Sequence, residues 1–113
     1  MAVLTGDALH SDAFSLVASA QNNPARQCKI LSEAIGSAGM VLGQLDDLTS
    51  QKKTLETLQN KTGKLFECAC RLGVIAVRGS KKQENLLALK GAQWGLEFQM
   101  ADDLVDGEFC AFR

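Results

Sequence analysis

The stretch KQENLLALKGAQWGLEFQMADDLVD, residues 82–106, decides the fold class that the sequence predicts. Its apolar residues recur at helical spacing over a length that ordinary strands do not reach, and they cover most sides of the helix. They are Leu86, Leu87, Leu89, Ala92, Trp94, Leu96, Phe98, Met100 and Ala101. A helix that is apolar on most sides is expected to lie among other helices, so this stretch predicts a helical bundle.

The rest of the sequence favours the same all-α fold, because it contains one proline, no tyrosine and no long alternation of apolar and polar residues. The four to five predicted helices cover residues 2–20, 25–48, 54–60, 61–77 and 82–106. Gly36, Gly39 and Gly43 interrupt the second of them, and each costs a helix roughly 1 kcal/mol relative to alanine. We expect these glycines to permit the close approach of a neighbouring helix or of a ligand.

The composition predicts a single domain over residues 1–113. The chain is 46% hydrophobic and 22% charged, which is typical of globular proteins, and its formal net charge is −1. So small a charge, without basic runs, argues against nucleic acid as a partner. No signal-like segment or stretch long enough to span a membrane is found, so we expect a cytoplasmic protein. The four cysteines are expected to be reduced and buried as small apolar residues.

Three aspartates at the end of the last predicted helix form the first candidate site. Asp102 and Asp106 are four residues apart and Asp103 and Asp106 three apart, so their carboxylates can converge over one turn. Like charges repel at this spacing, and acids in a last turn also meet the negative end of the helix dipole. A divalent cation would reverse both effects, and Mg²⁺ in particular is held by one or two carboxylates. The alternative is a solvated acidic helix end, which the charges alone favour equally.

Lys61 and Thr62 form the second candidate site, at the junction between two predicted helices. Lys61 offers a positive charge to a phosphate, the Thr62 hydroxyl can donate a hydrogen bond beside it, and Gly63 keeps the backbone open. The order of these residues excludes a P-loop. Taken alone, a surface lysine beside a helix cap is the simpler interpretation of the pair.

Gln44 is a third candidate, on the helix that the glycines interrupt. It projects from that helix together with Asp47, three residues further on. Tight helix packing explains the neighbouring glycines as well as a ligand does, so both interpretations stay open for this stretch.

Four blocks of the sequence, taken in order, resemble those of a known family. They are GDAL (6–9), GMVLGQLDDL (39–48), NKTGKLFECACRLG (60–73) and WGLEFQMADDLVD (94–106). In their order and spacing the chain resembles the trans-isoprenyl diphosphate synthases of the polyprenyl synthetase family over essentially its whole length. The resemblance implies a partial isoprenoid synthase fold. It also implies a prenyltransferase of isoprenoid biosynthesis that joins isopentenyl diphosphate to an allylic diphosphate with the assistance of Mg²⁺.

The same resemblance assigns roles to individual residues. Those implied to bind Mg²⁺ are Asp102 and Asp106, with Asp103 assisting. Those implied to bind the substrate diphosphate are Lys61, Thr62, Gln99 and Gln44. Of all these, Lys61 and Asp102 would act directly in catalysis. The opposite charge that the acidic helix end needs would then come from the metal ion.

The sequence also departs from the family pattern, since the first D-D-x-x-D motif of these enzymes is absent from it. Whether the isolated chain is active is therefore left open. The alternative is a non-catalytic, truncated paralogue that acts as a helical dimerisation or regulatory subunit. In either case we expect an oligomer, either of identical chains or with a full-length synthase, because a partial bundle exposes apolar surface. The sequence does not fix the chain length of the product.

Overall fold

The computed structural model describes residues 1–49, 57 and 59–105, which form helices without any strand. The elements are α1 (Ala2–Ala18), α2 (Pro24–Ile35), α3 (Met40–Thr49), a π-helical segment (Gln59–Gly63), α4 (Lys64–Ala76) and α5 (Lys81–Val105). The predicted helix over 54–60 lies largely outside the described residues. The other predicted helices are present with small differences at their ends, apart from the second, and the all-α fold is confirmed.

A hairpin of α4 and α5 is the centre of the fold, and a short turn joins its two helices. Arg78 in this turn has a positive φ of 58°, and the amide of Gly79 donates to the Val74 carbonyl at 2.9 Å. Ser80 and Gln83 then form a reciprocal cap at the start of α5. The backbone amide of Gln83 donates to Ser80 Oγ at 3.1 Å, and the backbone amide of Ser80 donates to the side-chain oxygen Oε1 of Gln83 at 2.8 Å. These bonds satisfy exposed backbone groups at both helix ends and fix where α5 begins.

Two glycines on α5 allow the hairpin to close tightly. A Cβ built on Gly91 would lie 2.8 Å from the Phe66 carbonyl oxygen, and one built on Gly95 would lie 2.7 Å from Gly63 Cα. Both distances are too short for real atoms, so the backbones of α5 and of the chain around α4 approach more closely than any larger residue would permit. This approach brings the π-helical segment directly against α5.

Helix α2 packs across α4 and supplies most of the apolar core. Pro24 occupies its first turn, where the missing N–H costs nothing. The buried apolar cluster consists of Ile30, Leu31, Ala34, Ile35, Cys68 and Ile75. Each of these side chains is buried, so the core lies where α2 crosses α4.

The sequence predicted one helix over 25–48, and this prediction is wrong, since α2 ends at Ile35 and α3 begins at Met40. Gly36 and Gly39 lie in the break. A Cβ on Gly36 would be 2.6 Å from the Ser32 carbonyl oxygen, and one on Gly39 would collide with the Ala34 carbonyl. These two glycines are therefore required by a sharp turn of the chain on itself, whereas we had expected them to admit a neighbouring helix or ligand.

A buried carboxylate ties α2 to both helices of the hairpin. Glu84 on α5 is 3% exposed and accepts two hydrogen bonds of 2.7 Å from the Arg26 guanidinium. Arg71 and Lys81 also contact its Oε2, at 3.1 and 3.3 Å. The bond from Arg26 is the main cause that lowers the pKa of Glu84 from 4.5 to about 2. The sequence does not predict this cluster, because nothing in the spacing of residues 26, 71 and 84 indicates that they meet.

The cysteines only partly follow the prediction. Cys68 is buried, whereas Cys28 and Cys70 are half-buried, and all three are free thiols. Removal from water raises the pKa of Cys68 to about 11, so it stays protonated at neutral pH. Cys110 lies outside the described residues.

Much apolar surface is left uncovered by the described part of the chain. No residue of α1 is buried. On α5 the buried residues are Glu84, Gly91, Gly95, Gln99 and Asp103, while its large apolar side chains point elsewhere. Trp94 is 50% exposed and Leu89 72% exposed, so the expectation that α5 lies among helices on most sides is wrong for the residues described. None of the described helices has the length and hydropathy needed to cross a membrane.

Candidate functional site

The π-helical segment places Lys61 and Thr62 beside α5. Such segments are uncommon in proteins, but those that occur are often found at functional sites, because the wider turn displaces side chains from their helical positions. Gly63 ends the segment, and the glycines of α5 allow it to approach. The backbone of Lys61 lies in this segment, while its side chain falls outside the described part. The half-buried Thr62 faces α5.

Thr62, Gln99 and Asp103 form a chain of hydrogen bonds between the π-helical segment and α5. Thr62 Oγ1 donates a hydrogen bond to Gln99 Oε1. Gln99 Nε2 in turn donates to Asp103 Oδ1 at 2.8 Å. Gln99 is 6% exposed and Asp103 3% exposed, so little water reaches the bonds between them. We call these three residues the polar relay.

Asp102 lies next to the polar relay but faces outwards. Successive residues of an α-helix point about 100° apart, so adjacent aspartates cannot occupy the same face. Accordingly Asp103 is buried against the relay and Asp102 is exposed. The arrangement separates one carboxylate fixed by protein hydrogen bonds from one open to a ligand. Asp106 lies outside the described residues, so its convergence with Asp102 stays a prediction.

A model of the Polyprenyl synthetase family matches residues 1–108, which include the π-helical segment and the acidic end of α5. The chain belongs to this family. It is 36% identical over 116 residues to a farnesyl diphosphate synthase of Micrococcus luteus, covering 95% of the chain. It is 41% identical over 119 residues to geranylgeranyl pyrophosphate synthase 7, chloroplastic, of Arabidopsis thaliana, covering 94% of the chain. The resemblance found in the sequence is confirmed.

The fold also agrees with that of a solved synthase. The crystal structure of an FPP/GFPP synthase from Zymomonas mobilis superimposes with a TM-score of 0.77 at 34% identity, over 95% of the present chain. The chain covers 43% of that protein, 40% of the Micrococcus enzyme and 34% of the Arabidopsis enzyme. What is shared is therefore a partial isoprenoid synthase fold.

The carboxylate oxygens at the end of α5 are of the kind that binds a hard divalent cation. Carboxylate oxygens are the ligands that Mg²⁺ prefers, and Mg²⁺ is held by one or two of them together with substrate phosphates and water. Among the described residues, no three His, Cys, Asp or Glu side chains come together as metal ligands. The exposed carboxylate of Asp102 is a donor of the kind that such a cation prefers.

Gln44 is not part of the polar relay. It is exposed on α3, which packs against the π-helical segment, and no hydrogen bond of the described residues joins it to Thr62, Gln99 or Asp103. The side chain of Asp47 falls outside the described part. The assignment of Gln44 to the diphosphate site stays a prediction.

One feature of α5 that positions the relay was missed in the sequence. Gly91, Gly95, Gln99 and Asp103 follow one another at intervals of four residues, and all four are buried. Residues at this spacing lie on one face of a helix, so the glycines that bring the backbones together and the polar side chains that bond across the gap share a face. The small-x-x-x-small pair at 91 and 95 was a signal that could have revealed this face.

Proposed function

We propose that this chain forms the diphosphate-binding part of a trans-prenyltransferase of isoprenoid biosynthesis. The reaction class is the joining of isopentenyl diphosphate to an allylic diphosphate. The observation that supports it best is the polar relay between the π-helical segment and α5, beside the exposed carboxylate of Asp102. The relatives named as farnesyl and geranylgeranyl diphosphate synthases support the same reaction class.

The residues at the site have separable tasks in this proposal. Asp102 and Asp106 would hold Mg²⁺, which when bound neutralises the charge that develops on the leaving diphosphate. Asp102 is suited to this because its side chain is exposed and therefore open to a cation from solvent. Lys61 adds a positive charge to the diphosphate from the π-helical segment. Asp103 assists from the buried side, through its bond to Gln99.

Calorimetric titration with a non-reactive thiolo analogue of an allylic diphosphate, with and without Mg²⁺, tests the proposal. We expect binding that requires Mg²⁺, and a loss of at least about tenfold in affinity in Asp102→Ala, because a hydrogen-bonded or ligating charge is typically worth this much. The matched control is Asp12→Ala, which removes an exposed aspartate of α1 and should leave the affinity unchanged. Equal affinity in Asp102→Ala and the wild type would refute the site assignment.

A second candidate function is dimerisation of the chain with a second copy, and the surface of α1 favours it. This helix has no buried residue, and Leu9 and Leu16 are 65% and 74% exposed. They are seven residues apart, so they lie on the same side of the helix. An exposed apolar stripe of this kind is typical of a surface that associates.

Light scattering at micromolar concentration tests this second candidate. The wild type is expected to be dimeric, and the double variant Leu9→Lys/Leu16→Lys to be monomeric. The control Ser11→Lys/Ser15→Lys adds the same charge at exposed polar positions of α1 and should leave the dimer intact. A monomeric wild type, or equal effects of the two double variants, would contradict the dimer.

A further inference from the structure

The geometry points to Gln99 as a positioning residue that, together with Asp103, fixes the direction of the Thr62 hydroxyl. This inference deepens the proposed function and rests on it. The polar relay directs the Thr62 proton towards Gln99, so that Thr62 meets a bound ligand as a hydrogen-bond acceptor.

The orientation follows from the donors and acceptors that each group has. The Gln99 amide nitrogen, which can only donate, faces Asp103 Oδ1 at 2.8 Å, so the carboxyl oxygen accepts this hydrogen bond. The amide oxygen of Gln99 then faces Thr62 and accepts the proton of its hydroxyl. Through these two hydrogen bonds, Asp103 fixes the direction in which the Thr62 hydroxyl points.

Burial makes this direction difficult to reverse. Rotating the Gln99 amide by half a turn would place its oxygen against the Asp103 carboxylate, so that two acceptors would face each other. With Gln99 and Asp103 only 6% and 3% exposed, water has little access to separate them. A Cβ built on Gly95 would lie 2.7 Å from Gly63 Cα, so the backbones of the π-helical segment and α5 are in direct contact beside the relay.

The consequence for ligand binding is specific. The Thr62 hydroxyl has one proton, and it donates this proton in the hydrogen bond to Gln99. The lone pairs of Thr62 Oγ1 therefore remain for other contacts. A hydrogen bond from Thr62 to a diphosphate oxygen would require the bond to Gln99 to break. Thr62 is instead suited to accept from a donor at the ligand, such as an ordered water molecule, and the diphosphate oxygens are left to Lys61 and the cation.

A charge exchange within the relay tests the inference. Gln99→Glu places two carboxylates against each other, and Asp103→Asn removes the charge that fixes the amide. The double variant Gln99→Glu/Asp103→Asn keeps the net charge and restores an acceptor for both Thr62 and position 103. We expect each single variant to weaken Mg²⁺-dependent binding of the thiolo analogue by about tenfold, and the double variant to recover most of the loss. Losses that simply add in the double variant would overturn the inference.

Variants of Thr62 separate the hydroxyl from mere packing. Thr62→Ser keeps the hydroxyl and should bind the analogue within about threefold of wild type, whereas the isosteric Thr62→Val should lose about tenfold. Normal binding by Thr62→Val would show that the direction of the hydroxyl is irrelevant to the ligand.

Hydrogen exchange of side-chain amides, followed by NMR, tests the relay without any ligand. Gln93 is the matched control, because its Nε2 donates to Glu97 at 3.2 Å with the same four-residue spacing on the same helix, but in an exposed position. The Gln99 amide is expected to exchange at least about tenfold more slowly than that of Gln93, and to lose this protection in Asp103→Asn. Equal exchange in the wild type would refute the relay itself. If the wild type shows protected exchange but binds no diphosphate, the proposed function fails and the relay stands as a structural feature.

Discussion

Replacing Glu84 by glutamine is expected to destabilise the fold strongly at neutral pH and hardly at all in acid. The substitution keeps the shape of the side chain but removes its charge, so Arg26, Arg71 and Lys81 lose the anion around which they gather. Removing one partner of a buried ionic group is costly, because the other charges are left uncompensated.

The magnitude follows from the pKa of the carboxyl group. Its pKa of about 2 in the folded chain lies below the ordinary value of 4.5, chiefly because of the bidentate Arg26 contact, and the difference corresponds to roughly 3 kcal/mol of stability at neutral pH. Because the folded-state pKa is the lower one, this stability is fully present above about pH 4.5. It is lost as the pH falls through about 2, where the folded chain also binds the proton.

Urea unfolding of wild type and Glu84→Gln at several pH values measures the effect. The difference in the free energy of unfolding is expected to be roughly 3 kcal/mol at pH 7 and to shrink steadily between pH 4.5 and pH 2. Comparing the two proteins at each pH cancels the titration of the other carboxylates. Glu97→Gln is the control, since Glu97 is exposed on the same helix, and its cost should stay within about 0.5 kcal/mol. A cost for Glu84→Gln below about 1 kcal/mol, or one that does not depend on pH, would refute the reasoning.

Three further predictions concern packing, capping and thiol chemistry. Gly95→Ala should lower the free energy of unfolding by about 1 to 3 kcal/mol in urea titrations, because its Cβ would collide with the π-helical segment, whereas Gly73→Ala, with open space around it, should be neutral or stabilising. Ser80→Ala should cost about 1 kcal/mol in the same assay, since it removes one arm of the cap at the start of α5. In alkylation followed by mass spectrometry at pH 8, Cys68 should react at least about tenfold more slowly than the half-buried Cys70, because Cys68 is buried and its pKa is raised to about 11. Comparable alkylation rates of the two thiols would contradict the burial of Cys68.

The fold class and the helix positions were accessible from the sequence, because they depend on local periodicity. The break between α2 and α3 was not, since the apolar spacing continues through it and only the collision that a Cβ at Gly36 or Gly39 would make reveals the turn. Gly36 and Gly39 suggest the close approach of a neighbouring helix, but in the structure the close approach between helices occurs at Gly91 and Gly95 of α5. Glycine marks a steric requirement in a sequence without showing which neighbour imposes it.

The sequence names candidate site residues, but it does not predict how they are arranged in space. The aspartates and Thr62 are candidates because of their residue types and spacing, the family resemblance adds Gln99, and the structure brings Thr62, Gln99 and Asp103 into contact. The difference between Asp102 and Asp103 follows from the helical rotation between adjacent residues, but which of them faces inwards depends on how α5 is turned. That turn is set by contacts across 30 residues or more, such as Gly63 with Gly95, which local patterns do not contain.

The buried face of α5 explains why packing and chemistry are coupled in this chain. Gly91 and Gly95 set the distance between backbones, and Gln99 and Asp103 continue the same row at four-residue intervals. The hydrogen bond from Thr62 to Gln99 crosses between the π-helical segment and α5 at the level where the glycines bring the two backbones together. The glycines therefore act on the site without touching a ligand. A residue larger than glycine at position 95 would collide with Gly63, so substitutions of increasing size there are expected to push the π-helical segment away from α5 and to weaken the hydrogen bond from Thr62 to Gln99.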